Sequence, residues 1–259
     1  VLDLGLPGMA WVIVLVAFVK LALTALAFRS QCAGVRIRIR SATWRATKEL
    51  VQFGLSMASV SLSSTIIVEI PKAVIGRFVS IEAVGLFHVA QLLDVYYRRG
   101  VRFVSTVFLP RFSWLSGQDR LEDISRLFIT SSKRLAVLSG LVATLYWSLG
   151  AAFIRLWISD DFTQIIPVLA ILTAGALVYT SQRMGIELLV GLGRQTTLAK
   201  ISALEAAMVA VLSVVLVHLW GLIGVAVGIA LPRAIMYGMV SIRLECRVAG
   251  VALSRYYLW

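Results

Sequence analysis

Residues 197–243 read TLAKISALEAAMVAVLSVVLVHLWGLIGVAVGIALPRAIMYGMVSIR. Two apolar runs, 197–219 and 222–243, stand either side of Trp220 and Gly221. Each is long enough to cross a hydrocarbon core about 30 Å thick, which takes about 20 helical residues. Open strands cannot cross lipid, because their backbone groups would go unpaired. Both runs therefore read as helices. That reading sets the fold class, an all-α integral membrane protein.

Working outward, five more runs of the same kind lie at 6–28, 50–70, 81–110, 134–154 and 163–191, for about seven transmembrane helices. The third and fifth are near 30 residues, or about 45 Å at 1.5 Å per residue. Helices of that length must tilt, kink or project from the bilayer. Pro167, near the start of the fifth, is either a kink point or a first-turn proline. Leu6 to Phe28 is too long for a signal-peptide core, and no cleavage site follows. It reads as a span in a chain truncated at its N-terminus.

Composition agrees. The 259 residues are 59% hydrophobic and 15% charged, with mean hydropathy +0.90. A soluble domain is about a quarter charged. Disorder, coiled coil and a disulfide scaffold are excluded. Cys32 and Cys246 form no CxxC, and His88 and His218 stand alone, so neither a metal site nor a cofactor is expected. A net charge of +12 in a soluble domain would point to nucleic acid. Beside these apolar runs it points to membrane lipids instead, and no nucleic-acid partner is expected.

Orientation follows from the loops. Segments 29–49, 111–134, 193–200 and 243–259 hold sixteen Lys and Arg, while 71–80, 151–162 and 220–221 hold only Lys72, Arg77 and Arg155. The positive-inside rule places the first group, and the C-terminus, in the cytoplasm. In 29–49, Arg36, Arg38 and Arg40 alternate with Val35, Ile37 and Ile39. They read as topology determinants, or as a linker on anionic headgroups at about 1 kcal/mol per basic residue.

Six cations fall inside the proposed spans: Lys20, Arg98, Arg99, Arg102, Arg183 and Arg233. A charge at the bilayer centre costs at least about 2.5–3.5 kcal/mol, so such residues face a water-filled cavity or a partner. Asp94, Arg98 and Arg102 step by four and share one helix face. With Arg99 they make a candidate site for a phosphate or carboxylate, which Arg binds in bidentate fashion. The bland readings are a span that ends near Arg99, or an Asp94–Arg98 pair that only neutralises itself. Arg183 and Glu187, also four apart, read as a snorkelling salt bridge near a helix end. Glu205 lies among alanines in the sixth span and needs a partner or a proton. It is a candidate for cation coupling, or an interhelical hydrogen-bonding residue. Lys20 and Arg233 are unranked.

Gly224 and Gly228 form a GxxxG suited to close helix contact. Gly191 and Gly193 read as a helix cap. No GxxxxGK[ST] loop, GxSxG or HExxH occurs, and no catalytic residues are assigned.

Six stretches in order resemble the bacterial polysaccharide (O-antigen) flippase family of the multidrug/oligosaccharidyl-lipid/polysaccharide transporter superfamily. They are ELVQFGLSMASVSLSSTIIVEIPKAVIG (49–76), EAVGLFHVAQLL (82–93), TVFLPRFSWLSGQD (106–119), FIRLWIS (153–159), ELLVGLGRQ (187–195) and LEAAMVAVLSVVLVHLWGLIGVAVGIALP (204–232). Phe87 stands where that family usually has Tyr, and Ser159 where it has Gly. The triplet Arg98, Arg99, Arg102 is not part of its signature.

The resemblance implies two six-helix lobes around a central cavity, working by alternating access. Residues 1–28 would hold the last helix of a missing N-terminal lobe, and 29–49 the cytoplasmic linker. Residues 50–243 would form the C-terminal six-helix lobe, and 244–259 a cytoplasmic tail. The implied function is transfer of a lipid-linked (undecaprenyl-diphosphate) oligosaccharide across the bacterial inner membrane. The missing lobe or a second copy would be a partner. A lipid II flippase, a drug/cation antiporter and a non-transporting membrane remnant remain as alternatives.

Overall fold

The computed structural model describes residues 5–31, 43–157 and 160–258. It is 93% helical, with no strand among the described residues. Two compact units divide it, Val1–Glu49 and Leu50–Trp259.

In the first unit, α1 (Gly5–Gln31) is apolar all round. Within this unit Trp11, Ile13, Leu15 and Phe18 are exposed, and a helix that is apolar all round belongs in a large core or a membrane. Arg36, Arg38, Arg40 and Cys32, and with them most of the 29–49 linker, lie outside the described residues.

The second unit holds the rest of α2 (Trp44–Phe78), which crosses the boundary, then α3 (Ile81–Thr106), α4 (Leu109–Ser116), α5 (Leu121–Trp157), α6 (Ile166–Ser181), α7 (Arg183–Gly191) and α8 (Gln195–Ile235). A π-helical segment, Met236–Ser241, leads into α9 (Ile242–Val248), and α10 (Leu253–Leu258) follows. Local chemistry sets most of these limits. Ser80 is extended and accepts from the Ala83 amide at 3.1 Å, and Glu82 follows in the first turn of α3. Pro110 and Pro167 sit in the first turns of α4 and α6, where a missing N–H costs nothing. Gly193, at φ +71°, closes α7: its amide meets the Val190 carbonyl at 3.1 Å, and the Arg194 amide meets Leu189 at 2.7 Å.

Five segments are long and apolar enough to cross a membrane: Trp11–Phe28, Thr47–Phe78, Leu121–Trp157, Phe162–Ser181 and Gln195–Val248. The last is folded back on itself, because Trp220 and Gly221 leave helical geometry (Gly221 φ 54°, ψ −129°). Only glycine adopts that conformation without strain. A Cβ on Gly224 would fall on the Leu216 carbonyl, and one on Gly228 would come within 2.9 Å of the Ser213 amide. The GxxxG thus clasps the two arms of α8 as an antiparallel hairpin. α3 is long enough as well, at 26 residues, but Asp94, Arg98, Arg99 and Arg102 lower its hydropathy.

Several boundaries differ from the sequence reading. The proposed loop 111–134 is helical, as α4 and the first turns of α5. The second span extends from 50–70 to 44–78, carrying Pro71 inside it. The third ends at Thr106, and Pro110 opens the next helix instead of closing this one. Pro167 is a first-turn proline, and the fifth span breaks at Gln182 (φ −95°, ψ 5°). The tail after 243 is largely helical. Gly193 caps α7, whereas Gly191 makes room for α4: a Cβ there would come within 2.8 Å of Phe112.

Two large apolar cores fill the second unit, with a smaller third made of Ile186, Leu198, Ile201, Met236 and Tyr237. One joins Ile75 of α2, Phe87 and Ala90 of α3, Leu172 of α6, and Val209, Val225 and Ile229 of α8. The other joins Tyr97 and Val101 of α3, Phe112 of α4, Phe128 and Leu135 of α5, Leu188 of α7 and Ile242 of α9. Along α3, Gln91 and Asp94 stand between the residues of the first core and those of the second. The candidate site occupies that level.

Candidate functional site

A helix advances 40° past a full circle with every four residues. Asp94, Arg98 and Arg102 therefore spiral from the inside of α3 to the outside. Asp94 is buried, Arg98 half-buried, and Arg99 and Arg102 exposed. The expected single face is a gradient.

Asp94 is held from two sides. Its Oδ2 accepts from Arg98 Nε at 3.0 Å and lies 3.0 Å from Arg98 Nη2. Its Oδ1 meets Arg233 Nη1 at 3.5 Å. Arg233, with a side chain only 3% exposed, also stands 3.6 Å from Glu205 Oε1. Glu205 Oε2 accepts from the Tyr237 hydroxyl at 3.1 Å. Tyr237 packs edge-on against Tyr179, ring centroids 4.6 Å apart. Tyr179 Oη accepts from Arg183 Nη1 at 2.6 Å, and Arg183 pairs with Glu187 at 3.1 Å. Glu187 accepts from Ser105 Oγ at 3.1 Å, which returns the network to α3. Three arginines and three carboxylates thus form one neutral assembly across α3, α6, α7, α8 and the π segment. Burying any of these charges alone costs several kcal/mol, and pairing with hydrogen bonding offsets it.

Several sequence readings resolve here. The Asp94–Arg98 pair forms, so Arg98 is not a free cation. Arg99 and Arg102 make no ion pair among the described residues, and both are exposed. Arg183 and Glu187 do not snorkel at a helix end; both are buried, with Tyr179 and Ser105 bonding them inside the protein and Arg183 Nε left without a hydrogen-bond partner. Glu205 takes the interhelical hydrogen-bonding arrangement. Lys20 is exposed on α1.

Arg233 stands among the six intramembrane cations of the sequence without a rank, and Tyr237 carries no mark there, although a signal for both exists. A hairpin folded at 220–221 sets residue 205 opposite 236, and Arg233 and Tyr237 flank that position. Tyr179 carried no comparable mark. A hydroxyl cluster also went unread. Tyr97 Oη lies 2.9 Å from both the carbonyl and Oγ of Ser139 and 3.1 Å from Thr180 Oγ1, while Ser139 and Thr180 bond directly. It ties α3, α5 and α6 together beside Asp94.

Glu245 on α9 is the other buried carboxylate. Ser241 Oγ donates to its Oε1 at 2.5 Å, its Oε2 has no partner, and its carboxylate fills the space left by Gly185. A groove of about 540 Å³ opens elsewhere, between the start of α5 and Gly250–Val251, and none of the network residues lines it.

The arrangement holds paired charges among apolar helices, and it presents guanidinium groups at one surface of α3. Compared with known proteins, the chain matches the model of a family described as polysaccharide biosynthesis protein over residues 4–167. The match runs from α1 to the first residues of α6 and includes the α3 arginines, but it stops short of Arg183, Glu205 and Arg233. No curated protein and no solved structure matches the chain.

Proposed function

The chain belongs to the polysaccharide biosynthesis protein family, and from that premise we propose that this multi-pass membrane protein moves a lipid-linked oligosaccharide across the bacterial inner membrane. The substrate class is an undecaprenyl-diphosphate-linked glycan. The work is transport, with no covalent step: binding of an anionic headgroup, followed by rocking of the 50–243 lobe against an N-terminal lobe or a second copy. The charge asymmetry of the loops supports a cytoplasmic C-terminus.

One observation carries the reading. Arg99 and Arg102 project from α3, exposed and without ion pairs among the described residues, beside a partly exposed Arg98. Read as part of the membrane domain, α3 would hold such exposed guanidinium groups against water or an anion. Three of them within five residues suit the paired phosphates of a polyprenyl diphosphate. Asp94 sets the position of Arg98 in this site. Glu205, behind it, is the carboxylate through which a coupling cation would act.

The test is complementation of a strain that lacks its polysaccharide flippase, using the gene that encodes this chain. The parent is expected to restore surface glycan. The double variant Arg99→Ala/Arg102→Ala is expected to insert normally and to lose most of that activity. Full rescue by the double variant would remove the anion site from α3.

A further inference from the structure

Asp94 spends its two carboxylate oxygens on different partners. Oδ2 faces outward to Arg98, whose side chain is 22% exposed, and Oδ1 faces inward to Arg233, 3% exposed. The two bonds differ in strength. Arg98 sits at 3.0 Å, while Arg233 stands at 3.5 Å from Asp94 and 3.6 Å from Glu205. A close N⁺–H···O⁻ contact is about 2.7–2.9 Å. Arg233 is therefore shared between two carboxylates and fully committed to neither. Beyond it, Glu205 rests on Tyr237, which lies in the π segment Met236–Ser241. Such segments mark places where helical hydrogen bonding changes register.

Resting on the reading of α3 as an anion site, we propose that Asp94 exchanges partners when substrate binds, releasing Arg98 to the diphosphate and drawing Arg233 away from Glu205. The exchange makes and breaks ion pairs only. A diphosphate offers Arg98 more charge and more acceptor oxygens than one carboxylate does. Once Arg98 turns to it, Asp94 keeps a single partner, and the loosely held Arg233 closes on it. Glu205 is then left with Tyr237 alone. Occupancy at the surface of α3 is thereby read at the junction of α8 and the π segment. Asp94 and Glu205 are positioning residues in this scheme, because neither touches substrate.

The experiment measures binding of farnesyl diphosphate, a short polyprenyl diphosphate, to the 259-residue chain in detergent micelles, with farnesol as the headgroup control. Asp94→Asn frees Arg98 and is expected to tighten binding about three- to fivefold, the upper part of the range set by losing one partly exposed competing ion pair. Glu205→Gln keeps an acceptor for Tyr237 but releases Arg233 toward Asp94, and is expected to tighten binding about twofold. A purely structural role would weaken binding in both. Hydrogen exchange supplies the second readout: ligand should speed exchange of the 236–241 amides in the parent and leave it unchanged in Asp94→Asn. Folded variants that bind no more tightly than the parent would overturn the exchange alone. If Asp94→Asn does not fold, Glu205→Gln decides by itself. A parent that ignores farnesyl diphosphate, or binds farnesol equally well, would overturn the anion site and this proposal with it.

Discussion

Glu245 and Gly185 show how one missing Cβ sets the place of a carboxyl group. The carboxylate is fully buried against the α7 backbone, with Ser241 as its one hydrogen-bond donor. Gly185→Ala would put a methyl where the carboxylate lies. The far end of a glutamate can rotate, so the expected loss is at the low end of the overpacking range, about 1 kcal/mol. Adding Glu245→Ala should recover most of it, because the two groups compete for one space. Thermal unfolding in detergent reads both, and additive losses would show that the two sites do not share that space. Tyr97 makes a second case. Its hydroxyl joins Ser139 and Thr180 with no exposure to solvent. Tyr97→Phe leaves those two hydroxyls bonded to each other. It should therefore cost only about 1 kcal/mol, the net worth of a typical hydrogen bond. A loss several times larger would mean that Tyr97 organises the polar level as a whole.

At the scale of the element, the α8 hairpin depends on backbone approach, and its glycines differ in what they tolerate. At Gly224 and Gly228 the obstacle to a Cβ is main chain of the opposite arm, which cannot rotate aside. At Gly140, in the middle of α5, a Cβ meets nothing within 4 Å. Gly228→Ala should destabilise by about 1–3 kcal/mol, and Gly140→Ala should stabilise by up to about 1 kcal/mol through helix propensity. Opposite shifts in unfolding midpoint are the expected result; equal shifts would argue against a tightly closed hairpin. The hairpin was legible in the sequence, because a glycine after a tryptophan interrupts two apolar runs of spanning length. The extent of α5 was not. Its first turns carry Glu122, Asp123, Arg126, Lys133 and Arg134, and hydropathy stops at such residues although a helix need not. The backbone continues because Ile124, Phe128 and Leu135 bury an apolar stripe on that same stretch. The break at Gln182 lies in a short polar run, Thr180–Arg183, too brief to stand out between the apolar residues that flank it. The charges of α3 were easy to find, but their sorting into buried and exposed required the helix rotation, and the role of Arg233 required the fold of the hairpin.

For the whole molecule, the question is why six charged side chains persist among its apolar cores. Stability alone does not explain them. Replacing a buried ion pair or triad with apolar groups of similar volume is often neutral, or stabilising by about 1–4 kcal/mol, whereas removing one partner costs about 3–5 kcal/mol. Asp94, Arg233 and Glu205 are such a triad, and two of its members also bond outward, to Arg98 and Tyr237. The single variant Arg233→Met leaves two buried carboxylates short of a cation and should unfold readily. The triple variant Asp94→Leu/Arg233→Met/Glu205→Met removes the charges together, frees only the half-exposed Arg98, and should regain much of the lost stability. It should not regain transport if the triad carries the signal from α3 to the π segment. Unfolding midpoints and surface-glycan rescue, measured on the same set of variants, separate the two roles. A stable triple variant without transport identifies the polar level as working machinery, and a stable triple variant with transport reduces it to a structural inheritance.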